Sequence, residues 1–174
     1  LNLFTPKDAE LAVFGSRRIG NERANNSMTR MKGLMQYFGS LNYRRVIKES
    51  KISVLEPEES RKDIIRFMEE NPGVKGIAVL NSRGYIVADS LASIGVKDIR
   101  LISFDLTDNN IRCVKNGTIS AIICQRPELQ GFHAVKAVIR TLLYNIKEKN
   151  VLHFMPTDIV IKENLPVYKE IYTD

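Results

Sequence analysis

Short, continuous apolar runs alternate along the chain with stretches of helical apolar spacing. Runs of strand length predict β-strands at residues 10–15, 51–55, 76–80, 100–105, 118–124 and 158–162. After the first run, Met28, Met31, Met35 and Phe38 recur at intervals of three and four residues, as on one face of a helix. Similar patterns predict further helices at residues 57–70, 85–94 and 128–147, and a short helix that ends at Asn116-Gly117. Strands and helices are therefore expected in strict alternation.

The strands predicted here are continuous apolar runs rather than alternations of apolar and polar residues. Such runs are typical of a parallel sheet that is buried on both faces. Strands that alternate with helices through short connections form right-handed βαβ units. The sequence therefore predicts the α/β class, with an open doubly wound parallel sheet and a polar tail after residue 162.

Composition fits a single folded domain. The 174 residues are 44% hydrophobic and 26% charged, which excludes a wholly disordered chain. No apolar run approaches the roughly 20 residues that a membrane-spanning helix needs, so no membrane association is expected. Cys113, Cys124 and two histidines do not match a disulfide framework or a structural zinc site. We therefore expect reduced thiols, no metal and no cofactor.

Positive charge is concentrated near the start of the chain. The formal net charge is +6, and residues 1–50 carry nine Lys or Arg against four Asp or Glu. A basic segment of this kind is compatible with a nucleic-acid-facing edge. Its arginine pairs at 17–18 and 44–45 have no interleaved aromatic residues, so we favour a solvated surface with one or two ligand-binding arginines.

Polar side chains follow several of the predicted strands directly. Asn81, Asp105 and Gln125 come after the third, fourth and fifth strands. In an open α/β sheet, ligands bind beyond the carboxyl ends of the strands. Carboxylate and amide groups there supply the donors and acceptors that a polyhydroxylated ligand needs. Asp105 stands out because a carboxylate directly after the largely apolar segment LISF at 101–104 must be solvated or paired. The alternative is that these residues simply begin loops.

Enzyme signatures are weak. The sequence has no Walker loop, no G-x-G-x-x-G and no G-x-S-x-G. His133 and His153 do not accompany a nucleophile in a recognisable pattern. Asp105 also fits the phosphoacceptor position of a response-regulator receiver, but receivers carry an acidic pair where this chain has Arg17 and Arg18. A binding protein is therefore expected, with a small flavodoxin-like enzyme or receiver as the alternative.

Five segments resemble the ligand-binding domain of LacI/GalR-type transcriptional regulators, which share their fold with periplasmic sugar-binding proteins (type I). They occur in that family's order along nearly the whole chain. The segments are SMTRMKG at 27–33, GIAVLN at 76–81, LISFD at 101–105, IICQ at 122–125 and MPTDIVIKEN at 155–164.

The resemblance implies a set of effector contacts. Arg30, three places before a helix glycine, is similar to the arginine that clamps effector hydroxyls or carboxylates. Asn81 matches the Asn that ends the third strand of this lobe, and Gln125 resembles the polar residue at the crossing strand. Asp105 matches the carboxylate that accepts two sugar hydroxyls. Where the family often has a ligand-stacking aromatic residue, this chain has Leu55. That departure implies a flatter or more polar effector, or stacking from the other lobe.

The family fold has two lobes joined by three crossings, and this sequence resembles the C-terminal lobe with an incomplete second lobe. The resemblance assigns residues 1–127 to the effector-binding lobe, 128–150 to a crossing helix of the other lobe and 151–174 to a returning strand and tail. The resemblance implies that the helix-turn-helix module and most of the other lobe are absent from this sequence. The chain opens at Leu1 without Met, so a truncated or proteolysed chain is expected.

The function that follows is effector sensing in a cytoplasmic LacI-like regulator that forms a homodimer. Its effector is expected to be a sugar or sugar derivative, and DNA is bound only through the module outside this chain. The alternative is a periplasmic or receptor sugar-binding protein.

A further expectation concerns the apolar stripe of Phe132, Val135, Ile139, Leu142 and Ile146. We expect this stripe to self-associate or to fold back onto its own lobe, because it is too large to leave in water.

Overall fold

The computed structural model describes residues 1, 5–17, 26–53, 56–146 and 154–171. Side chains at 16–17, 52–53 and 169–171 are not described. The strands are β1 (Glu10–Arg17), β2 (Ile47–Ser53), β3 (Val74–Val79), β4 (Arg100–Phe104), β5 (Ala121–Cys124) and β6 (Asp158–Val160). The helices are α1 (Asn26–Gly39), α2 (Pro57–Glu70), α3 (Gly84–Ser93), α4 (Asp108–Lys115), α5 (Pro127–Tyr144) and α6 (Leu165–Ile171).

The strands form one sheet in the order β2-β1-β3-β4-β5-β6. Neighbours from β2 to β5 pair in parallel, which confirms the α/β class and the doubly wound sheet. Helices α2, α3 and α4 pack on one face around an apolar cluster that includes Ile64, Ile86 and Val114. Helix α1 packs on the other face through Met31 and Leu34.

Central strand β3 shows why its apolar run is continuous. Every residue of Val74–Val79 is buried except Lys75. Helix α3 begins directly against the neighbouring strand, since a Cβ on Gly84 would lie 2.4 Å from Ser103 Cβ on β4. A glycine is therefore required at this point, and it brings the segment after β3 close to the end of β4.

Three parts of the predicted pattern were wrong. Strand β2 starts at Ile47 rather than 51, because it is an edge strand whose polar residues sit at the margin of the sheet. The last strand runs antiparallel to β5, so the sheet is not wholly parallel. The predicted polar tail contains α6, which packs Leu165 and Tyr168 against the main apolar cluster.

Helix α5 does not fold back onto this lobe, so that version of the expectation was wrong. Arg126 adopts a left-handed φ of 51° before Pro127 begins the helix, and α5 buries none of its side chains. Phe132 is 60% exposed and Leu142 is 77% exposed. The apolar stripe therefore has no cover within the described part of the chain.

A bidentate ion pair fastens β6 to the end of β5. Arg126 donates from Nε to Asp158 Oδ2 at 2.5 Å and from Nη2 to Oδ1 at 2.8 Å. This arginine lowers the pKa of Asp158, and the Tyr168 hydroxyl adds a smaller hydrogen bond to the same carboxylate. The pair thus joins β5, β6 and α6 where the chain leaves the sheet.

Replacing Asp158 by Asn should lower the free energy of unfolding by about 1 kcal/mol at pH 7, because Arg126 is two-fifths exposed and screened by solvent. A carboxyl whose pKa is lowered by folding stabilises the protein above its unfolded pKa of about 3.9. The difference should therefore disappear as pH falls below 4 through the lowered pKa of Asp158. Urea unfolding of both proteins between pH 7 and pH 2.5 measures it.

Glu163→Gln is the control, since this exposed carboxylate has no ion pair among the described residues. If Asp158→Asn lowers the free energy of unfolding by the same amount at every pH, the contribution of Asp158 to stability is not electrostatic.

Candidate functional site

The carboxyl edge of the sheet gathers the segments that follow β3, β4 and β5. Backbone hydrogen bonds continue the parallel pairing beyond the strands. Leu80 N donates to Phe14 O at 2.9 Å, Phe104 N to Asn81 O at 3.3 Å, and Asp105 N to Ile123 O at 3.1 Å. Three of the residues predicted from the sequence, Asn81, Asp105 and Gln125, are therefore held along one edge.

Asp105 and Gln125 are in direct contact. Gln125 Nε2 donates to Asp105 Oδ1 at 2.7 Å. Both side chains are half-buried, and no donor from the described residues occupies the second carboxylate oxygen. Asp105 also has a left-handed φ of 65°, a conformation that Asp and Asn adopt more readily than most residues. The pair thus fixes a carboxylate with one acceptor oxygen left for a ligand.

Asn81 shapes the loop that follows β3. Its Oδ1 accepts a hydrogen bond from Arg83 N at 2.8 Å, which closes an Asx turn. Its backbone carbonyl accepts from Ser103 Oγ at 2.9 Å. The Asn81 side-chain oxygen therefore stabilises the start of a loop, as the alternative interpretation of the strand-end polar residues predicted.

Arg30 reaches the same edge from α1. Its Nη1 donates to Leu80 O at 2.8 Å, and Ser27 Oγ donates to the same carbonyl at 3.1 Å. The guanidinium carbon lies 3.9 Å from the centroid of the Phe104 ring, a cation–π contact. Burial lowers the pKa of Arg30, while the Asp105 carboxylate opposes that change. Arg30 is still a cation at neutral pH, so opposite charges stand near each other.

Leu55 lies outside the described residues, so its predicted place at the site stays a prediction. The aromatic residue that the structure does bring to this edge is Phe104, beneath Arg30. In the sequence, Phe104 stands only as a residue of the fourth predicted strand. Its position before Asp105 was the available signal, because alternate residues of a strand point to the two faces of the sheet.

Asn110 was missed by sequence reasoning altogether. It is fully buried in the first turn of α4. Its Nδ2 lies within hydrogen-bond distance of three carbonyl oxygens, those of Ser82 at 3.0 Å, Phe104 at 3.1 Å and Asp105 at 3.0 Å. Its Oδ1 accepts from Tyr85 N at 3.0 Å. The signal was T-x-x-N at residues 107–110, a capping pattern with Asn in the place of Glu or Gln.

Two depressions lie at the opposite edge, where the strands begin. One of about 670 Å³ is lined by Lys75, Lys97, Arg100 and Thr118. The other, of about 510 Å³, lies between the end of α1 and the start of β2. We place the candidate site at the carboxyl edge instead, because fixed donors and acceptors converge there.

The described ranges show neither a metal-binding cluster nor a membrane-spanning helix. Within them, no three His, Cys, Asp or Glu side chains cluster closely enough to hold a metal ion. None of the helices in these ranges combines the length and the apolar content needed to cross a bilayer.

Solved structures share this arrangement of elements. A candidate LacI transcriptional regulator from Bacteroides fragilis is 32% identical, with a TM-score of 0.87 over 97% of this chain and 58% of its own. A periplasmic solute-binding protein of an ABC transporter from Actinobacillus succinogenes, with bound D-allose, is 19% identical, with a TM-score of 0.77 over 93% of this chain and 56% of its own. An ABC-transporter solute-binding protein from Agrobacterium vitis, bound with α-D-tagatopyranose, is 16% identical, with a TM-score of 0.81 over 99% of this chain and 57% of its own.

The chain thus spans less than three fifths of each of these proteins. The two transporter proteins are so distant in sequence that they show the fold alone. No curated protein matches the chain. The sequence pattern of the periplasmic binding protein domain family matches residues 2–144. The chain therefore belongs to the periplasmic binding protein domain family.

Proposed function

We propose that this chain is the effector-sensing lobe of a LacI-like transcriptional regulator, with a small sugar or polyol as its effector. The observation that carries the proposal is the Asp105 carboxylate, fixed on one oxygen by Gln125 and set near the Arg30 cation. Its role is binding, without catalysis or a cofactor.

The chemistry of the edge suits a polyhydroxylated ligand. A carboxylate oxygen accepts hydrogen bonds from sugar hydroxyls, and a guanidinium donates to their oxygens. Because Leu80 O and Phe104 hold Arg30, and Gln125 holds Asp105, both groups are positioned before a ligand arrives. The D-allose and tagatopyranose in two proteins of the same fold are consistent with this ligand class.

Sequence identity favours the regulator. At 32%, the candidate LacI regulator from Bacteroides fragilis is closer to this chain than the transporter proteins at 16% and 19%. In the proposed mechanism, an effector between two lobes stabilises one arrangement of a cytoplasmic homodimer and changes the spacing of its DNA-binding modules. That response requires different affinities for the two arrangements.

The second candidate is the solute-binding component of a sugar transporter. TM-scores of 0.77 and 0.81 with two such proteins favour it. The full-length sequence discriminates the two functions. A helix-turn-helix upstream of this chain supports the regulator, whereas a secretory signal peptide supports the transporter component.

We also propose that residues 1–127 form the ligand-binding lobe, 128–150 belong to the other lobe, and 151–174 return and end the chain. The exposed apolar side chains of α5 support this division, because the rest of a longer protein would cover them. This chain covers 58% of the Bacteroides fragilis protein, which leaves room for a second lobe in that protein.

Asp105→Asn should weaken sugar binding at least about tenfold, because charge-assisted hydrogen bonds contribute about 1.5–3 kcal/mol each. Asn suits the left-handed backbone at this position and keeps an oxygen for Gln125, so the fold is preserved. Arg30→Lys should weaken binding similarly, since Lys lacks the planar fork. Calorimetric titration of the full-length protein with a panel of sugars that includes D-allose and D-tagatose identifies the ligand that binds most tightly. The dissociation constants of both variants for that ligand measure the two effects.

Asp108→Asn is the matched control, because it removes the same charge from an exposed position on α4 and should leave affinity unchanged. If Asp105→Asn and the wild type bind the sugar with equal affinity, Asp105 is not part of the binding site.

The exposed stripe on α5 should make this chain self-associate when it is produced alone. Burying one large apolar side chain contributes roughly 1.5–3 kcal/mol, so Leu142→Glu should raise the dimer dissociation constant more than about tenfold. Light scattering over a concentration series measures this. His133→Glu, exposed on the same helix outside the stripe, serves as the control. A wild-type chain that stays monomeric at every concentration would contradict the prediction.

A further inference from the structure

The buried carboxamide of Asn110 connects the segments that follow β3 and β4. Its Oδ1 accepts from Tyr85 N, and its Nδ2 faces Ser82 O on the segment after β3. The same nitrogen faces Phe104 O and Asp105 O on the segment after β4. One side chain therefore contacts the neighbours of Asn81 and the backbone of Asp105.

These contacts are not needed to begin α4. Thr107 already caps that helix, since its hydroxyl accepts from Asn110 N. The four partners of the Asn110 side chain all lie outside α4. The two N–H groups of its Nδ2 are shared among three carbonyl oxygens at 3.0–3.1 Å. Because Oδ1 also accepts from Tyr85 N, the position requires a side chain that both donates and accepts.

We propose that Asn110 is the positioning residue of the ligand site, coupling the segment at 81–85, which includes the start of α3, to the loop at 105–107 so that Asp105 is presented in one geometry. The inference rests on the proposed function, that sugars bind at this edge. Asn110 touches no ligand itself; it acts through the backbone of Asp105 and of the residues after Asn81. Losing its donor should loosen both loops together and weaken sugar binding.

Asn110→Asp tests the role because it removes the donor while keeping the shape. The new carboxylate faces three carbonyl oxygens in a buried place, so both burial and repulsion favour its protonated form. Once protonated, it regains an O–H donor. The other charged or titratable side chains on the surrounding segments are Arg83, Tyr85, Asp89, Asp105, Asp108, Arg112, Cys113 and Lys115. Asn109→Asp adds the same charge one residue away, at an exposed position.

The first measurement is hydrogen exchange by NMR on the chain without ligand, as protection factors at pH 8 and pH 5. In Asn110→Asp at pH 8, the amides of Arg83, Tyr85 and Thr107 should lose protection at least tenfold together, while that of Ile77 in β3 keeps it. Protection should recover at pH 5. Asn109→Asp should match wild type at both values. A loss confined to Tyr85, a uniform loss that includes Ile77, or the absence of recovery at pH 5 overturns the proposal.

If Asn110→Asp does not fold, or if it keeps wild-type protection at pH 8 because its buried carboxyl is still protonated, Asn110→Ala takes its place. Asn110→Ala should lose protection in both loops, and the loss should be the same at the two pH values. Protection equal to wild type in Asn110→Ala overturns the coupling.

The second measurement is titration with D-allose and D-tagatose. Affinity of Asn110→Asp should fall at least tenfold at pH 8 relative to Asn109→Asp and recover at pH 5. Unchanged affinity despite loosened loops overturns the positioning role. A wild-type protein that binds no sugar contradicts the proposed function instead, while the exchange measurement still decides whether Asn110 couples the loops.

Discussion

Parallel pairing of β3, β4 and β5 extends beyond the strands themselves, and the carboxyl edge depends on this extension. Phe104 N still donates to Asn81 O, and Asp105 N to Ile123 O, after the regular ladder ends. These bonds set the spacing between consecutive strand ends, so three separate segments end along one edge, where the Asp105 and Gln125 side chains are in contact. Close approach of Gly84 to Ser103 and the Asn110 carboxamide then hold the connecting loops against the sheet.

Charges at this edge are arranged so that they do not neutralise each other. Arg30 and Asp105 interact electrostatically, yet no salt bridge joins them in the part of the chain that the structure describes. Each is anchored elsewhere, Arg30 on Leu80 O and Phe104, and Asp105 on Gln125. Because partial burial lowers the effective dielectric constant, hydrogen bonds from a ligand to these groups are stronger than in open water.

Sequence patterns predicted the fold better than the site. Buried strands such as β3 must be apolar on both faces, so their runs identify the doubly wound sheet directly. Edge strand β2 and short β6 have weaker patterns, because one margin of each is left to solvent, and there the bounds and direction were wrong. Asp105 and Gln125 could be placed together from topology alone. The roles of Asn110 and Phe104 could not, because they depend on backbone carbonyls and ring positions that no residue pattern records.

Chemical-shift mapping tests the central claim most directly. The ¹⁵N-labelled chain, titrated with D-tagatose and D-allose, should show saturable shifts at the amides of Asp105 and Gln125 and at Arg30 Nε. The depression at the opposite edge, around Lys75 and Lys97, should remain unchanged. Shifts confined to that depression, or none at the carboxyl edge with any sugar, would contradict the account.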